Sequence, residues 1–302
     1  MSVNLNQGLK PFQEAITHEI GTLKSTINLC PSASNVIVEI PLFKTIGVSV
    51  MSPSLIYNYQ LRGSGGLFRG PRFSYFPTLS KEGNTFYITN PDGTVDSYNG
   101  YNTINPETNS YMYYSYAGRD LYILNDKYGN QIEYLAYNNS LPYRIIYKDG
   151  TILTVTSSSN IPSKITNSCG DEILFTYYGY YIGEIIYKKN NTVLFKAYLG
   201  LTNSKLSSVN IKKVVGSDET IIAYYTITES SNTLSVKDEI LDYSYTYTLN
   251  NDDQITAFHD SYYPTKITSL SYSDTTTTVT DIFGKITKYY FSMDYLQWYM
   301  II

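Results

Sequence analysis

Along most of the chain, apolar residues fall at every second position. Val36, Val38 and Ile40 alternate with polar neighbours, Val48 and Val50 continue the pattern, and Leu55, Tyr57 and Tyr59 repeat it. Side chains of an extended strand point to opposite faces in turn, so this period of two predicts strands with one buried face. Gly63, Gly65, Gly66, Gly70 and Pro71 interrupt it and predict a loop over residues 62–72. Asn90-Pro-Asp-Gly93 has Pro and Gly where a tight turn wants them, which predicts a hairpin between strands at 86–89 and 95–98. Further strands are predicted at 111–116, 120–124, 131–137, 143–147, 151–156, 164–166, 172–178, 183–187, 194–199, 207–214, 220–228, 243–249, 266–272, 276–280 and 286–291. Turn signals at intervals of about eight to twelve residues make this an all-β fold, a mostly antiparallel meander of hairpins.

One segment departs from the alternation. Phe12, Ile16, Ile20, Leu23 and Ile27 recur at spacings of four and three behind Pro11, a pattern that predicts an amphipathic helix over residues 11–27. The expected organisation is a helical segment, residues 1–33, followed by one β-sheet domain, residues 34–302.

A refrain runs through the β region. Asp126-x-x-Gly129 leads into a strand bearing Tyr134 and ending near Tyr137. Asp149-Gly150 marks a second turn, Asn167-x-x-Gly170 leads to Tyr177, and Asp281-x-x-Gly284 leads to Tyr289. Glycine permits the positive φ that such turns need, and Asp or Asn can bond its own backbone. Tyrosine suits the strand because its ring pairs across strands while its hydroxyl still finds a polar partner. The chain holds 34 tyrosines in 302 residues, and its 42% hydrophobic content, with 15% aromatic, supplies ample apolar area for a core.

The stretches ILNDKYGNQIEYLAYNNSLPYRIIYKDGTILTVT and SLSYSDTTTTVTDIFGKITKYYFS resemble the turn–strand–tyrosine unit of the Rhs/YD-repeat family. VEIPLFKTIGVSVMSPSLIYNYQ with TNPDGTVDSY resembles the segment that opens such a repeat region. The resemblance covers about two-thirds of the chain, residues 34–100, 118–187 and 265–292. It implies a curved or spiralling β-sheet strip, part of the wall of a shell that encloses a toxin or effector. It also implies a non-enzymatic, structural or carrier role. No Asp-Pro-x-Gly-Leu autocleavage motif and no toxin-like segment occurs, so the resemblance extends to the wall and not to a protease or cargo. The expected partners are the remainder of a longer shell or another copy through exposed sheet edges, and a toxin or effector polypeptide.

Charge narrows the chemistry. Net charge is −4 and the basic residues are scattered, which argues against nucleic acid as a partner. No apolar run is long enough to span a bilayer, and no leader peptide is evident. The expected location is cytoplasmic or outside the cell by a dedicated export route. Cys30 and Cys169 form no CxxC and no disulfide framework.

Candidate catalytic groups are sparse. His259, Asp260 and Ser261 are chain neighbours, whereas triad members converge from separate elements. Cys30, Cys169, His18 and His259 lack ligand spacing for a metal, and Asn250–Asp253 lacks the spaced carboxylates of a calcium loop. Arg62, Arg69 and Arg72 around the glycine loop are not followed by the Lys-Ser/Thr pair of a phosphate loop. Asp238, Glu239, Asp242 and Glu133 stand out in no way as an acid–base pair. No cofactor is expected. What remains is a surplus of tyrosines in two runs, Tyr111, Tyr113, Tyr114 and Tyr116, and Tyr178, Tyr180 and Tyr181. Aromatic faces stack on sugar rings, so these runs are the candidate ligand-binding surface, for a glycan or a cell surface.

Overall fold

A computed structural model describes residues 15–20, 22–29, 34–43, 51–60, 72–106, 108–116, 118–137, 140–158, 160–179, 181–291 and, for the backbone, 298–300. The described residues form strands and turns, with no helix among them. A five-stranded sheet comes first in the chain: β1 (Ala15–Ile20), β2 (Leu23–Asn28), β3 (Asn35–Pro41), β4 (Ser54–Asn58) and β5 (Arg72–Phe73). A three-stranded sheet follows: β6 (Thr78–Glu82), β7 (Thr85–Thr89) and β8 (Val95–Asn99).

All remaining strands belong to one antiparallel strip in chain order. It opens with β9 (Thr103–Asn105), β10 (Ser110–Tyr116), β11 (Asp120–Asn125), β12 (Gln131–Leu135), β13 (Pro142–Ile146), β14 (Ile152–Ser158) and β15 (Ile161–Asn167). It continues through β16 (Asp171–Tyr178), β17 (Tyr181–Lys189), β18 (Thr192–Thr202), β19 (Lys205–Val215) and β20 (Asp218–Glu229). It ends with β21 (Thr233–Asp238), β22 (Tyr243–Leu249), β23 (Ile255–Asp260), β24 (Thr268–Tyr272), β25 (Thr276–Thr280), β26 (Ile286–Phe291) and β27 (Trp298–Met300). Each strand pairs with its chain neighbour. Among the described residues, β9 pairs only with β10 and β27 only with β26, so the strip is open.

The helix expected over residues 11–27 is not what the chain forms. Residues 15–20 and 23–28 are β1 and β2, a hairpin in register from Ala15 opposite Asn28 to Ile20 opposite Leu23; Pro11 and Phe12 lie outside the described residues. Leu23 and Ile27 are four apart, a spacing that satisfies period two as well as a helical stripe. Leu23, Ser25 and Ile27 all point into the core with no exposure. The β-branched run of Ile16, Thr17, Thr22, Thr26 and Ile27 favours the extended form. β2 then pairs with β3, so the sheet crosses the boundary expected at residue 33. Val48, Val50 and the glycines of the 62–72 loop lie outside the described residues.

The predicted all-β antiparallel meander is what the chain forms, and most predicted strands coincide with observed ones. The alternation predicts no strand at β5, β6, β9, β21 or β23. In β21, only Leu234 and Val236 carry the alternation, flanked by polar residues that resemble loop chemistry.

The core lies between layers. Residues of the five-stranded sheet, among them Leu23, Ile27, Val36, Val38, Ile40, Leu55, Tyr57 and Phe73, pack on the inward face of the strip from β13 to β26. A smaller core joins Leu79, Phe86, Ile88 and Tyr98 of the three-stranded sheet to Met112, Leu124 and Tyr134 of the strip. Tyrosine hydroxyls stitch the layers together. Tyr225 meets Thr22 at 2.5 Å, Tyr247 donates to Ser25 at 2.6 Å, Tyr272 meets Ser34 at 2.7 Å, and Tyr57 donates to Glu229. A buried polar atom without a partner is costly, and these pairs remove that cost while the rings supply apolar area.

Candidate functional site

The refrain folds as one recurring hairpin tip. At residues 126–130, the Asp126 carboxylate accepts the N–H groups of Tyr128 (2.8 Å) and Asn130 (2.9 Å), Asp126 N–H donates to the Asn130 carbonyl (2.9 Å), and Gly129 has φ of 86°. Asp281 accepts from Phe283 and Lys285, both at 2.9 Å, with Gly284 at φ of 80°. Asn167 accepts from Cys169 and Asp171, both at 2.9 Å, ahead of Gly170. Asn250 does the same for Asp252 and Gln254, with Asp253 itself in the left-handed region at φ of 59°. The Asn250–Asp253 segment is therefore a hairpin tip, with Asp253 in the glycine position. At Asp149-Gly150 the carboxylate accepts from Thr151 (2.8 Å), a nearby variant of the same tip. These bonds hold the Asp149 carboxyl below the usual carboxylate range.

The tyrosines that follow the tips differ in placement. Tyr134 is fully buried and donates to the Pro77 carbonyl at 3.3 Å, and burial raises its pKa. Tyr177 is half-buried and donates to the Pro162 carbonyl at 2.7 Å. Tyr289 packs against the main core. Tyr137 instead sits in the turn after β12, 70% exposed.

The first tyrosine run is split between the two faces of β10, as alternation requires. Tyr111 and Tyr113 stack on one face with ring centroids 5.5 Å apart. Tyr114 and Tyr116 occupy the other, 44% and 72% exposed. There they join groups the sequence did not single out. Tyr101, half-exposed after β8, lies edge-on to Tyr114 at 6.0 Å and stacks on Tyr122 at 6.0 Å, and Phe86 floors the group at 5.3 Å from Tyr101. Lys81 Nζ donates to the Tyr101 hydroxyl at 3.3 Å, and the Tyr114 hydroxyl donates to Asp120. Hydrogen bonds from Tyr122 and Lys81 lower the pKa of Tyr101, whereas burial and that same bond push Tyr122 up to about 12. Tyr101 has no alternation signal of its own; the Gly100 turn that brings it beside β10 is a tertiary event.

The second run plays a different part. The Tyr178 ring lies over Gly183, where an added Cβ would come within 2.0 Å of it. Tyr178 thus covers the bare backbone of a glycine inside β17. Tyr181 begins β17 and is half-buried; Tyr180 lies outside the described residues.

Groups considered for catalysis are structurally engaged. Glu133 is buried and forms a two-pronged ion pair with Arg144, at 2.6 and 3.1 Å. Asp238 accepts the N–H groups of Ile240 and Leu241 at 2.9 and 3.1 Å. Glu239 and Asp242 both hold Lys237. Arg72 donates to the Asn90 carbonyl at 3.1 Å. Cys169 is a free, exposed thiol. Among the described residues, no three His, Cys, Asp or Glu side chains gather as a metal site. A scan against models of protein families finds no match, and neither does a search of curated proteins.

Proposed function

We propose that the chain is a non-enzymatic structural and carrier module, a wall segment of a β-shell of the Rhs/YD-repeat type that encapsulates and delivers a toxin or effector. The observation that carries this reading is the recurrence of one side-chain-capped hairpin tip, at Asp126, Asn167, Asn250 and Asp281, along a single uninterrupted meander. A strip for a wall must also bend. Phe175 on β16 touches Phe73 on β5, while Thr277 on β25 donates to the Leu29 carbonyl beyond β2. Nine strand intervals at about 4.8 Å span about 43 Å, against about 14 Å for the three intervals from β2 to β5. A bent strip reconciles the two lengths. The partners on this reading are the remainder of a longer shell, or another copy, and an enclosed polypeptide. Polypeptides encoded beside this chain, co-expressed with it, should resist added protease as a complex. Digestion at the same rate with and without the chain overturns the reading.

A second reading rests on the group around Tyr114: a carbohydrate- or cell-surface-binding platform. Exposed rings of Tyr101, Tyr114 and Tyr116 lie beside the charged Lys81 and Asp120, the mixture of apolar face and polar rim that sugars use. A glycan array probed with the protein tests it. Binding to a saccharide that Tyr114→Ala and Tyr116→Ala each weaken supports this platform, and silence across the array sinks it.

A further inference from the structure

Tyr243 and Tyr262 form the closest pair of tyrosine rings among the described residues. Their centroids lie 4.8 Å apart, with 27° between the ring planes. Tyr111 and Tyr113 follow at 5.5 Å, Tyr243 and Tyr245 at 5.7 Å and edge-on, and Tyr101 and Tyr122 at 6.0 Å.

The register of β22 and β23 accounts for this closeness. Tyr247 stands opposite Phe258 and Tyr245 opposite Asp260, and the same antiparallel register carried two residues further sets Tyr262 opposite Tyr243. Hydrogen bonds extend the pairing in that direction. Ser261 N–H donates to the Ser244 carbonyl at 2.9 Å, and Ser244 N–H donates to the Ser261 hydroxyl at 3.0 Å. Beyond Tyr262 the chain turns away. Tyr263 N–H donates to the Asp260 carboxylate at 2.8 Å, and Lys266 N–H donates to the Tyr263 carbonyl at 2.9 Å. Lys266 Nζ lies 4.5 Å from the centre of the Tyr263 ring, so Tyr263 is engaged there and Tyr262 is left facing Tyr243.

The pair sits at the mouth of a hairpin. β22 and β23 are joined through the tip at Asn250, and at their other end the chain leaves for the β21–β22 and β23–β24 tips. Residues 261–267 are all exposed, Tyr262 at 65%, whereas Tyr243 is half-buried. One ring is therefore open to an oxidant in solution while the other is held against it. Two reacting groups held together in this way need no chance encounter.

We propose that Tyr243 and Tyr262 are a site of oxidative cross-linking, at which a peroxide-driven haem oxidant joins the two rings by a carbon–carbon bond and closes the mouth of the β22–β23 hairpin. The oxidant takes one electron from each phenol, and each hydroxyl releases its proton. The two phenoxyl radicals couple through the ring carbons beside their oxygens. The hydrogen on each of those carbons leaves as a proton and each oxygen regains one, so the pair loses two hydrogen atoms in all. One hydrogen peroxide takes up the two electrons and two protons and becomes two waters. Direct oxidation is needed at Tyr262 only, because an electron passing from Tyr243 to the Tyr262 radical lets the exposed ring be oxidised a second time. The tie encloses residues 243–262 and constrains the unfolded chain, as a cross-link that closes a loop does.

Treating the full chain at low concentration with hydrogen peroxide and a haem peroxidase tests the assignment. The blue fluorescence of a biphenol should appear. Cleavage before aspartate should then yield peptides 242–251 and 260–273 joined, lighter than their sum by two hydrogen atoms. In an equal mixture of isotope-labelled and unlabelled chain, both halves of the joined peptide should carry the same label. Tyr262→Phe keeps the ring and its stacking, so it should leave the circular dichroism spectrum unchanged and lower the fluorescence several-fold. Tyr111→Phe should leave the fluorescence unchanged. Links recovered mainly at the more exposed Tyr116 and Tyr137 overturn the inference, as do mixed labels in the joined peptide or fluorescence indifferent to Tyr262→Phe. A chain that bears no biphenol after a treatment that couples free tyrosine overturns it as well.

Discussion

His18 shows how much one residue depends on its surroundings. It sits on β1, stacked on Tyr245 at 4.3 Å and tilted against Phe258 at 4.6 Å, and its Nε2 has no hydrogen-bond partner. Burial holds the imidazole down at about 4, with nearby Asp260 offsetting only part of that effect. A histidine with a depressed folded pKa is stable as the neutral form, so this stability is present above pH 6.5 and is lost as the pH falls from 6.5 through about 4. Urea unfolding as a function of pH should show a loss on the order of 2–3 kcal/mol across that window. His18→Phe should flatten that part of the profile, and an unchanged slope in the variant would assign the loss to another group. Tyrosine hydroxyls are the second residue-scale prediction. Tyr247→Phe removes the bond to buried Ser25 and should cost about 1 kcal/mol, read as a lower urea midpoint with an unchanged slope. In the sequence, Tyr247 is one tyrosine among many in Tyr243-Ser-Tyr-Thr-Tyr247. Its hydroxyl partner lies 222 residues away, and no local pattern records that.

At the scale of the element, the hairpin tips carry the most local information. Asp281→Ala leaves the N–H groups of Phe283 and Lys285 without their acceptor and should cost about 1 kcal/mol. Gly284→Ala forces a side chain into φ of 80° in open space, so its cost of about 1–2 kcal/mol is backbone strain alone. Both variants should speed amide exchange at residues 281–287 before global stability changes much, and no local change in exchange would deny the tip its role. These tips were legible because the Asx-x-x-Gly spacing is the hydrogen-bonding pattern itself. The β1–β2 hairpin was not, because Leu23 and Ile27 satisfy both periods and only the partner β3 breaks the tie. Tyr101 was missed for a related reason: it lies in a turn, and its neighbours Tyr114 and Tyr122 come from strands it does not pair with.

Across the whole molecule, the joint between the first sheet and the strip is the contact on which the rest depends. Phe175 on β16 meets Phe73 at 5.0 Å and Phe76 at 5.5 Å, and Phe43 stacks on Tyr187 at 5.2 Å. Phe175→Ala should cost about 3–5 kcal/mol, because the cavity opens between two rigid layers that cannot collapse into it. If the layers fold as one unit, tyrosine fluorescence and far-ultraviolet circular dichroism should lose signal at the same denaturant concentration, in the variant as in the parent chain. Separate transitions would show that the strip holds without its cover. The sequence by itself determined what is local: the period-two strands, the capped tips, the antiparallel meander and the tyrosine-rich composition of its sheets. Pairing of neighbouring strands through short turns needs no information from farther along the chain. Tertiary structure alone decided that residues 15–28 join a sheet and which tyrosine hydroxyl bridges which layer. Each of those depends on which distant surface excludes water from a given side chain, and a pattern of neighbours does not encode that.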